Sequence, residues 1–295
     1  MITFTASTFN NLEYLKWCIK SVRENSYYKD APFIVHAENC TDGTNEWLNE
    51  VKDQYNLEIY IEPEVKPARG IGGGMNFCAS KVKTEYIIFL QSDFYVCKNF
   101  DLELLNEVKK HSNKTLVSSW RIQPNVFNDK ERPGTIFTPL DMFGAYYNDF
   151  NSESLLEWTE EFSTLNDIRI RRAEGAGGYI VRKEDWDYIG GNDSLFAPVS
   201  YEDMDLFIRM QLEGFEFVQT TKSVIWHFAG RGSHRLEENE GKSSNRQRET
   251  EYKNAVKWVN KWGQMPQFDH FDFVIPINHN IKTRLTYDII NNTSN

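Results

Sequence analysis

The chain has 295 residues, room for one large α/β domain or two small ones. Its net charge of −10 excludes a nucleic-acid backbone as partner, which would need a dense basic patch. A small diphosphate stays open, because a metal ion can supply positive charge locally.

Hydrophobic residues make up 40% of the chain, ample for a core, and no apolar run approaches the ~18–20 residues of a membrane span. The first strand-like segment starts at Ile2, which leaves no room for a signal peptide. Cys18, Cys40, Cys78 and Cys97 form no C-x-x-C pair and read as reduced thiols. Aromatic residues reach 14%, a share that serves a core or a surface that stacks on rings.

Residues 2–7 form a short β-rich run. Asn10, with Glu13 three positions on, matches a capping box, and Leu12, Leu15, Ile19 and Val22 then recur at helical spacing. A second strand is expected over 33–37, a helix around Trp47, Leu48, Val51 and Tyr55, and a third strand over 57–61. A glycine-rich stretch leads into a helix over 75–82, followed by the most apolar strand, residues 86–90. Strands alternating with helices predict a Rossmann-like, mostly parallel sheet covered on both faces, with ligands beyond the carboxyl ends of its strands.

The residues after those strands are therefore the first candidates. They are Thr8, Phe9 and Asn10; Glu38, Asn39 and the turn 40–44; and Gln91, Ser92 and Asp93. Turn and cap duty is the competing reading, above all for 41–44. It is weaker for Asp93, since a carboxylate directly after a wholly apolar strand is costly unless paired or metal-bound.

From 120 to 172 the pattern loosens, with Phe127, Phe137, Phe143, Tyr146, Tyr147, Phe150, Trp158 and Phe162 among Asn, Asp, Pro and Gly. We read an insertion that shapes one side of the site, or a loop-rich subdomain that packs its own aromatics. Gly177 and Gly178 let backbone approach a ring closely, or serve packing alone. Glu202, Asp203 and Asp205 stand in the first turn of a helix, which suits its dipole. His227 ends a short apolar strand. Residues 231–248 read as a mobile loop in which Arg231, His234 and Arg235 either close over a diphosphate or form an exposed linker. Val256, Val259 and Trp262 suggest a closing helix, and no chemical signal is legible beyond Pro266.

The order strand, Thr8-Phe-Asn-Asn11, helix, strand, Glu38-Asn-Cys-Thr-Asp-Gly-Thr44 resembles the nucleotide-binding half of glycosyltransferase family 2, which has the GT-A fold. The segment 69–80 is similar to the approach to that family's aspartate motif, and 84–93 to the motif itself. The resemblance runs to about residue 230. It implies a nucleotide-sugar-binding half over 1–119, an acceptor-side and catalytic half over 120–230, and a mobile loop, closing helix and tail over 231–295.

It also implies roles. Thr8, Asn10, Glu38, Asp42, Arg69, Gln91 and Ser92 would bind the nucleotide. Gly177, Gly178, Arg231 and His234 would meet the donor sugar and diphosphate. Asp93 and His227 would hold a metal, Mn²⁺ or Mg²⁺, whose task is to stabilise the leaving diphosphate. Asp203 would be the general base that takes the proton of an acceptor hydroxyl, with Glu202 positioning the acceptor. Two positions depart from the pattern. Glu38 stands where the family commonly has aspartate, and the acid–x–acid pair is reduced to Gln91-Ser-Asp93. Gln91 keeps both donor and acceptor for a ribose hydroxyl.

The expected function is thus a metal-dependent, inverting glycosyltransferase using a nucleoside diphosphate sugar, UDP first, and a glycan or lipid-linked glycan acceptor in surface polysaccharide synthesis. It would be cytoplasmic, with no transmembrane segment and no nucleic acid partner, meeting lipid-linked acceptors at the inner face of the membrane. Two alternatives remain: a catalytically impaired sugar- or nucleotide-binding module, and a nucleotidyltransferase on a related fold. The latter would need a basic glycine-rich loop after its first strand, which 7–11 lacks. The segment 69–74 misses the G-x-G-x-x-G spacing, with Met75 in the last place. No tandem Cys or His pairs support zinc, and no G-x-S-x-G supports a hydrolase.

Overall fold

The computed structural model describes residues 1–173, 175, 177–229 and 245–276, with the side chains of 245–247 excepted. The first half alternates as the periodicity predicts: β1 (Ile2–Thr8), α1 (Leu12–Asn25), β2 (Phe33–Glu38), α2 (Thr44–Val51), β3 (Leu57–Glu62), α3 (Gly70–Lys81) and β4 (Tyr86–Gln91). Then come β5 (Phe94–Val96), α4 (Phe100–Val108), β6 (Thr115–Pro124), β7 (Thr135–Thr138), α5 (Leu140–Phe143), α6 (Ser152–Leu165) and β8 (Arg169–Ile170). The chain continues through β9 (Tyr179–Arg182), α7 (Lys183–Ile189), α8 (Glu202–Leu212), β10 (Glu216–His227) and α9 (Asn245–Trp262).

The ten strands among the described residues join one sheet, in the order β3-β2-β1-β4-β9-β6-β10-β5, with β7 beside β6 and β8 beside β10. Pairings among β3, β2, β1 and β4 and between β6 and β10 are parallel, whereas β9 runs antiparallel to β4 and β6. The sheet is mixed and mostly parallel, flanked by helices. Strand order reverses at β1, with β2 on one side and β4 on the other, and sheets of this kind hold ligands beyond the carboxyl ends at such a switch point.

Alternation along the strands feeds two cores. Ile2, Phe4 and Ala6 of β1 and Tyr86, Ile88 and Leu90 of β4 face α1, which answers with Leu15, Cys18, Ile19 and Val22. Ile87 and Phe89 face the opposite cluster, which includes Cys78, Trp186, Leu206, Phe207, Trp258 and Trp262 from α3, α7, α8 and α9.

Several local expectations change. The capping box at Asn10 does not form: α1 starts at Leu12, whose amide donates to Asp42 of the next loop at 2.9 Å. The glycine-rich stretch is not a loop before a helix but the first turns of α3 itself. Gly70 has φ +67, and a Cβ there would lie 1.7 Å from the Pro198 carbonyl oxygen. At Gly74 a Cβ would meet Ser7 Oγ at 2.1 Å. Close packing against β1 and the 192–198 segment, not a phosphate, is what those glycines serve.

The aromatic stretch is less loose than its pattern suggests. It contains α6, and Phe143 and Phe150 are buried with Tyr14, Tyr95, Trp226 and Phe228 in a third cluster, against which Trp158 and Phe162 pack. These aromatics build core. The boundary at 119/120 falls inside β6, whose two ends share one sheet. Among the described residues no helix is long and apolar enough to cross a membrane.

Candidate active site

Each strand tip reaches one residue further than predicted, so Thr8, Glu38 and Gln91 are the last residues of β1, β2 and β4. At the β2 tip, Glu38 is buried and its Oε1 accepts the Arg69 amide at 2.8 Å. Its Oε2 is buried with no partner among the described residues, and so is the Thr8 hydroxyl. A buried acceptor with no donor is costly, and a bound N–H would relieve it.

The Arg69 guanidinium does not project free from this tip. It pairs with Glu62, lies 5.0 Å over the Phe77 ring, and belongs to a chain that runs through His36 to Ser7. His36 Nε2 is 2.7 Å from Glu62 and its Nδ1 3.2 Å from Ser7 Oγ. The Arg69 hydrogen bond outweighs burial and holds the Glu62 carboxyl down at about 2.

Asn10 and Asp42 are occupied by the loops themselves. Asn10 Oδ1 accepts the Thr41 amide at 2.6 Å. Asp42 accepts from the Leu12 amide at 2.9 Å and from the Thr44 hydroxyl at 2.6 Å. Asn11, absent from the predicted set, donates to Ser92 at 2.9 Å and ties the β1 tip to the β4 tip.

Past β4, Asp93 is buried beside the end of β10, with its Oδ2 3.4 Å from His227 Nε2. His227 Nδ1 meets Gln123 Oε1 at 2.9 Å. With that oxygen as acceptor, Nδ1 carries the proton and the Nε2 lone pair faces Asp93. Two acceptors so close need a shared positive charge, either a proton on Nε2 or a metal ion. Burial pushes the Asp93 carboxyl up, but His227 and Arg121 outweigh it and keep it below the usual carboxylate range. Among the described residues no group of three or more His, Cys, Asp or Glu is arranged to hold a metal ion by itself. Asp93 and His227 therefore fit a cation that takes its remaining ligands from water and substrate phosphate, as Mg²⁺ and Mn²⁺ do.

The second cluster stands at the start of α8. Ser200 and Tyr201, at φ 78 and 77, turn the chain so that Glu202 and Asp203 open the helix. Asp203 Oδ1 accepts the Met204 amide at 2.8 Å. A Cβ on Gly175 would lie 1.9 Å from Asp203 Oδ2, so the glycine makes room for that carboxylate. Glu202 is buried, and its Oε2 has no partner among the described residues. Burial, then the charge of Asp203, pushes its carboxyl up to about 8, so it holds its proton at neutral pH. Asp205 does not compete for the base role. It is fully buried and bound to Arg209, Lys261 and Trp262.

A cavity of about 410 Å³ joins the two clusters. Gln91, His227, Glu202, Asp203, Gly175, Arg121 and Arg172 line it, together with Phe268 and Val274 from the stretch in which no signal was legible. Gly177 and Gly178 are not on that wall. They continue the sheet beside β9, where the Gly178 amide donates to the Phe89 carbonyl at 2.7 Å and a Cβ on Gly178 would meet Ile225 at 2.5 Å. Arg231 and His234 lie outside the described residues. Sequence reasoning missed Gln123, Arg121 and Arg172. The first two are polar residues within a strand otherwise buried along nearly its whole length, which was the available signal.

A sheet with its switch point at β1 and β4, an aspartate after β4 and an acidic helix start across the cavity give the chain the layout of the GT-A fold. The sequence profile described as glycosyl transferase family 2 matches residues 5–168, more than half the chain, and the protein belongs to that family. No curated protein sequence matches it.

Among solved structures, it is similar to GalNAc-T7 with UDP, GalNAc and Mn²⁺ (TM-score 0.61, 15% identity, 92% of this chain and 49% of that one). It is also similar to S. aureus TarS 1-349 (TM-score 0.52, 13% identity, 78% and 61%) and to the same fragment in complex with UDP (0.54, 14%, 88% and 65%). At such identity these likenesses show the fold, and the chain spans between about half and two thirds of the chains in those three structures.

Proposed function

We propose that the chain transfers a sugar from a nucleoside diphosphate sugar to an acceptor hydroxyl, with Asp203 as general base and a divalent cation at Asp93 and His227. The observation that carries this reading is the single cavity onto which both His227 and Asp203 open. A hydroxyl is a poor nucleophile, so a carboxylate must take its proton as the new glycosidic bond forms. Asp203 is a carboxylate at a helix N-terminus, where the dipole favours its charged form. Glu202 beside it keeps a proton at neutral pH, which gives the cavity one carboxyl that donates and one that accepts. With Asp203 as the base that activates the acceptor hydroxyl, single displacement with inversion is the expected course.

Asp93 and His227 would hold Mn²⁺ or Mg²⁺, which when bound supplies positive charge for the departing diphosphate. The nucleoside would meet the tips of β1, β2 and β4, where Thr8, Glu38, Arg69, Gln91 and Ser92 converge. With Oε1 of Glu38 taken by the Arg69 amide, one carboxylate oxygen remains for one N–H. That count suits uracil, which presents a single ring N–H, better than guanine, which presents two donors on that edge. UDP is therefore the expected nucleotide, in keeping with the UDP, or UDP-GlcNAc, bound in similar structures. The acceptor would be a glycan or lipid-linked glycan of a surface polysaccharide, met at the inner face of the membrane. Arg231 and His234 remain candidates for closing over the diphosphate.

Thermal unfolding with UDP, GDP, dTDP and CDP, each with and without Mn²⁺, tests this reading. A nucleotide at a hundred times its dissociation constant adds about 2.7 kcal/mol, a shift of at least roughly 4 °C for a chain of this size. The shift is expected with UDP, to depend on Mn²⁺, and to vanish in Asp93→Ala. No shift with any nucleotide would sink it.

A further inference from the structure

Behind α8 lies a corner rich in charge and nearly closed to water. Asp205 accepts from Arg209 Nε at 2.8 Å, Trp262 Nε1 at 2.9 Å and Lys261 Nζ at 2.6 Å. Lys261 also reaches Asp193 at 2.7 Å, and the side chains of Asp193, Asp205, Arg209 and Lys261 are at most 2% exposed. Burial pushes the Asp205 carboxyl up, but Lys261 and Arg209 outweigh it and hold it ionised. Two turns back along α9, Asn254 sends its amide nitrogen to the carbonyls of Phe196 and Val199 at 2.7 Å and Ser200 at 3.2 Å. Lys257 adds a bond to the Leu195 carbonyl at 2.8 Å.

These bonds converge on one object. Asn254 fixes the segment that leads through Ser200 and Tyr201 into α8, and Lys261 with Trp262 fixes Asp205 in its first turn. Asp203 stands between the two grips. A buried ion network is a poor device for stability, since apolar replacements of similar volume often do as well or better. It is a good device for holding a backbone in one place. The nucleotide groups sit on the tips of β1, β2 and β4, which receive no bond from Asn254 or Lys261.

We propose that Asn254 and Lys261 of α9 are positioning residues for the transfer step. They set where the α8 N-terminus holds Asp203, and so govern kcat while leaving donor binding alone. The proposal rests on Asp203 being the base, and it makes α9, which lies beyond the matched family region 5–168, part of the catalytic apparatus.

Asn254→Ala and Lys261→Met, each in the full chain, test it. Turnover is read with the UDP-sugar that the wild type accepts, using water as acceptor where no glycan is in hand. UDP affinity in Mn²⁺ is read by calorimetry. The expected result is a fall in kcat of about 10- to 100-fold, the scale of a small misplacement of a reacting group. The UDP dissociation constant and donor KM should stay within about twofold. Trp262→Phe removes the indole N–H and leaves a smaller aromatic ring in its place, so it should show the same split more weakly even if the other two fold poorly. Val256→Ala, on the exposed face of α9, should leave turnover unchanged. Folded variants with wild-type kcat, or with UDP affinity falling in step with kcat, would overturn the proposal. Failure of the base assignment has a different signature: Asp203→Asn would then turn over as fast as the wild type.

Discussion

The loop edge at the β1 and β2 tips and the α8 corner are both acidic and both lie at carboxyl ends of the sheet, yet their side chains do opposite things. At the loop edge, Asn10, Asn39 and Asp42 hold the backbone of neighbouring loops, and most of their bonds are partly exposed or exposed. Glu38 and Thr8, just inside, are the exceptions, each with a buried oxygen that has no hydrogen-bond partner among the described residues. At the α8 corner the loop is held instead by α9. Glu202 and Asp203, next to that hold, line the cavity. Carboxylates become chemical tools where another part of the chain supplies the scaffolding.

The contrast can be broken experimentally, and the largest effect is expected at Asp203. Asp203→Asn keeps size and packing but cannot accept the proton, so kcat should fall about 10²- to 10⁴-fold with little change in UDP affinity, read by steady-state transfer. Next comes Gly175→Ala. Its methyl would displace the end of a side chain and not backbone, so the fold should hold while Asp203 is pushed aside. Turnover should drop about 10²-fold with the melting temperature nearly unchanged. An inactive but unfolded variant would instead place Gly175 in the scaffold.

At the β2 tip, Glu38→Gln should weaken UDP by about 1.5 kcal/mol, roughly tenfold, with kcat preserved, as calorimetry can measure. Equal losses in both would mean that the tip acts on the transfer step and not on binding alone.

The smallest effect is on stability against pH. The Glu202 carboxyl, ordinarily near 4.5, sits at about 8 in the folded chain. Below 4.5 both folded and unfolded chains hold the proton and the difference is silent. Between 4.5 and 8 the unfolded chain releases a proton that the folded chain keeps, so stability falls as pH rises, and above 8 it levels off. The slope from this one group is at most about 1.4 kcal/mol per pH unit. Melting curves of wild type and Glu202→Gln across that range should differ by this slope, and parallel curves would refute the buried-acid assignment.

Much of the first hundred residues was legible because period-2 and period-3.6 patterns are written locally. Leu15, Cys18, Ile19 and Val22 face one core, and the apolar run over 86–90 fills the middle of the sheet. Asp93, Glu202, Asp203 and His227 were legible as residues because acids and a histidine at the ends of apolar segments are conspicuous. Less was readable where long-range packing decides. The glycines of 70–74 look like a loop until Pro198 and Ser7 are seen pressed against them. The stretch 120–172 reads either as a wall of the site or as a subdomain packing its own aromatics until Phe143, Phe150, Trp158 and Phe162 are found in core around Trp226.

The sequence by itself determined the alternation of strand and helix and the membership of glycosyl transferase family 2, whereas the switch point at β1 and β4 emerged only from the strand order. Hydrophobic periodicity and short motifs are properties of neighbours in the chain. Only the tertiary structure decided that Gln123 orients His227, that Gly175 makes room for Asp203, and that Asp205 is locked away by Lys261. Those partners lie 104, 28 and 56 positions apart in the chain, and what joins them is the packing of β6, β10, α8 and α9 around one cavity.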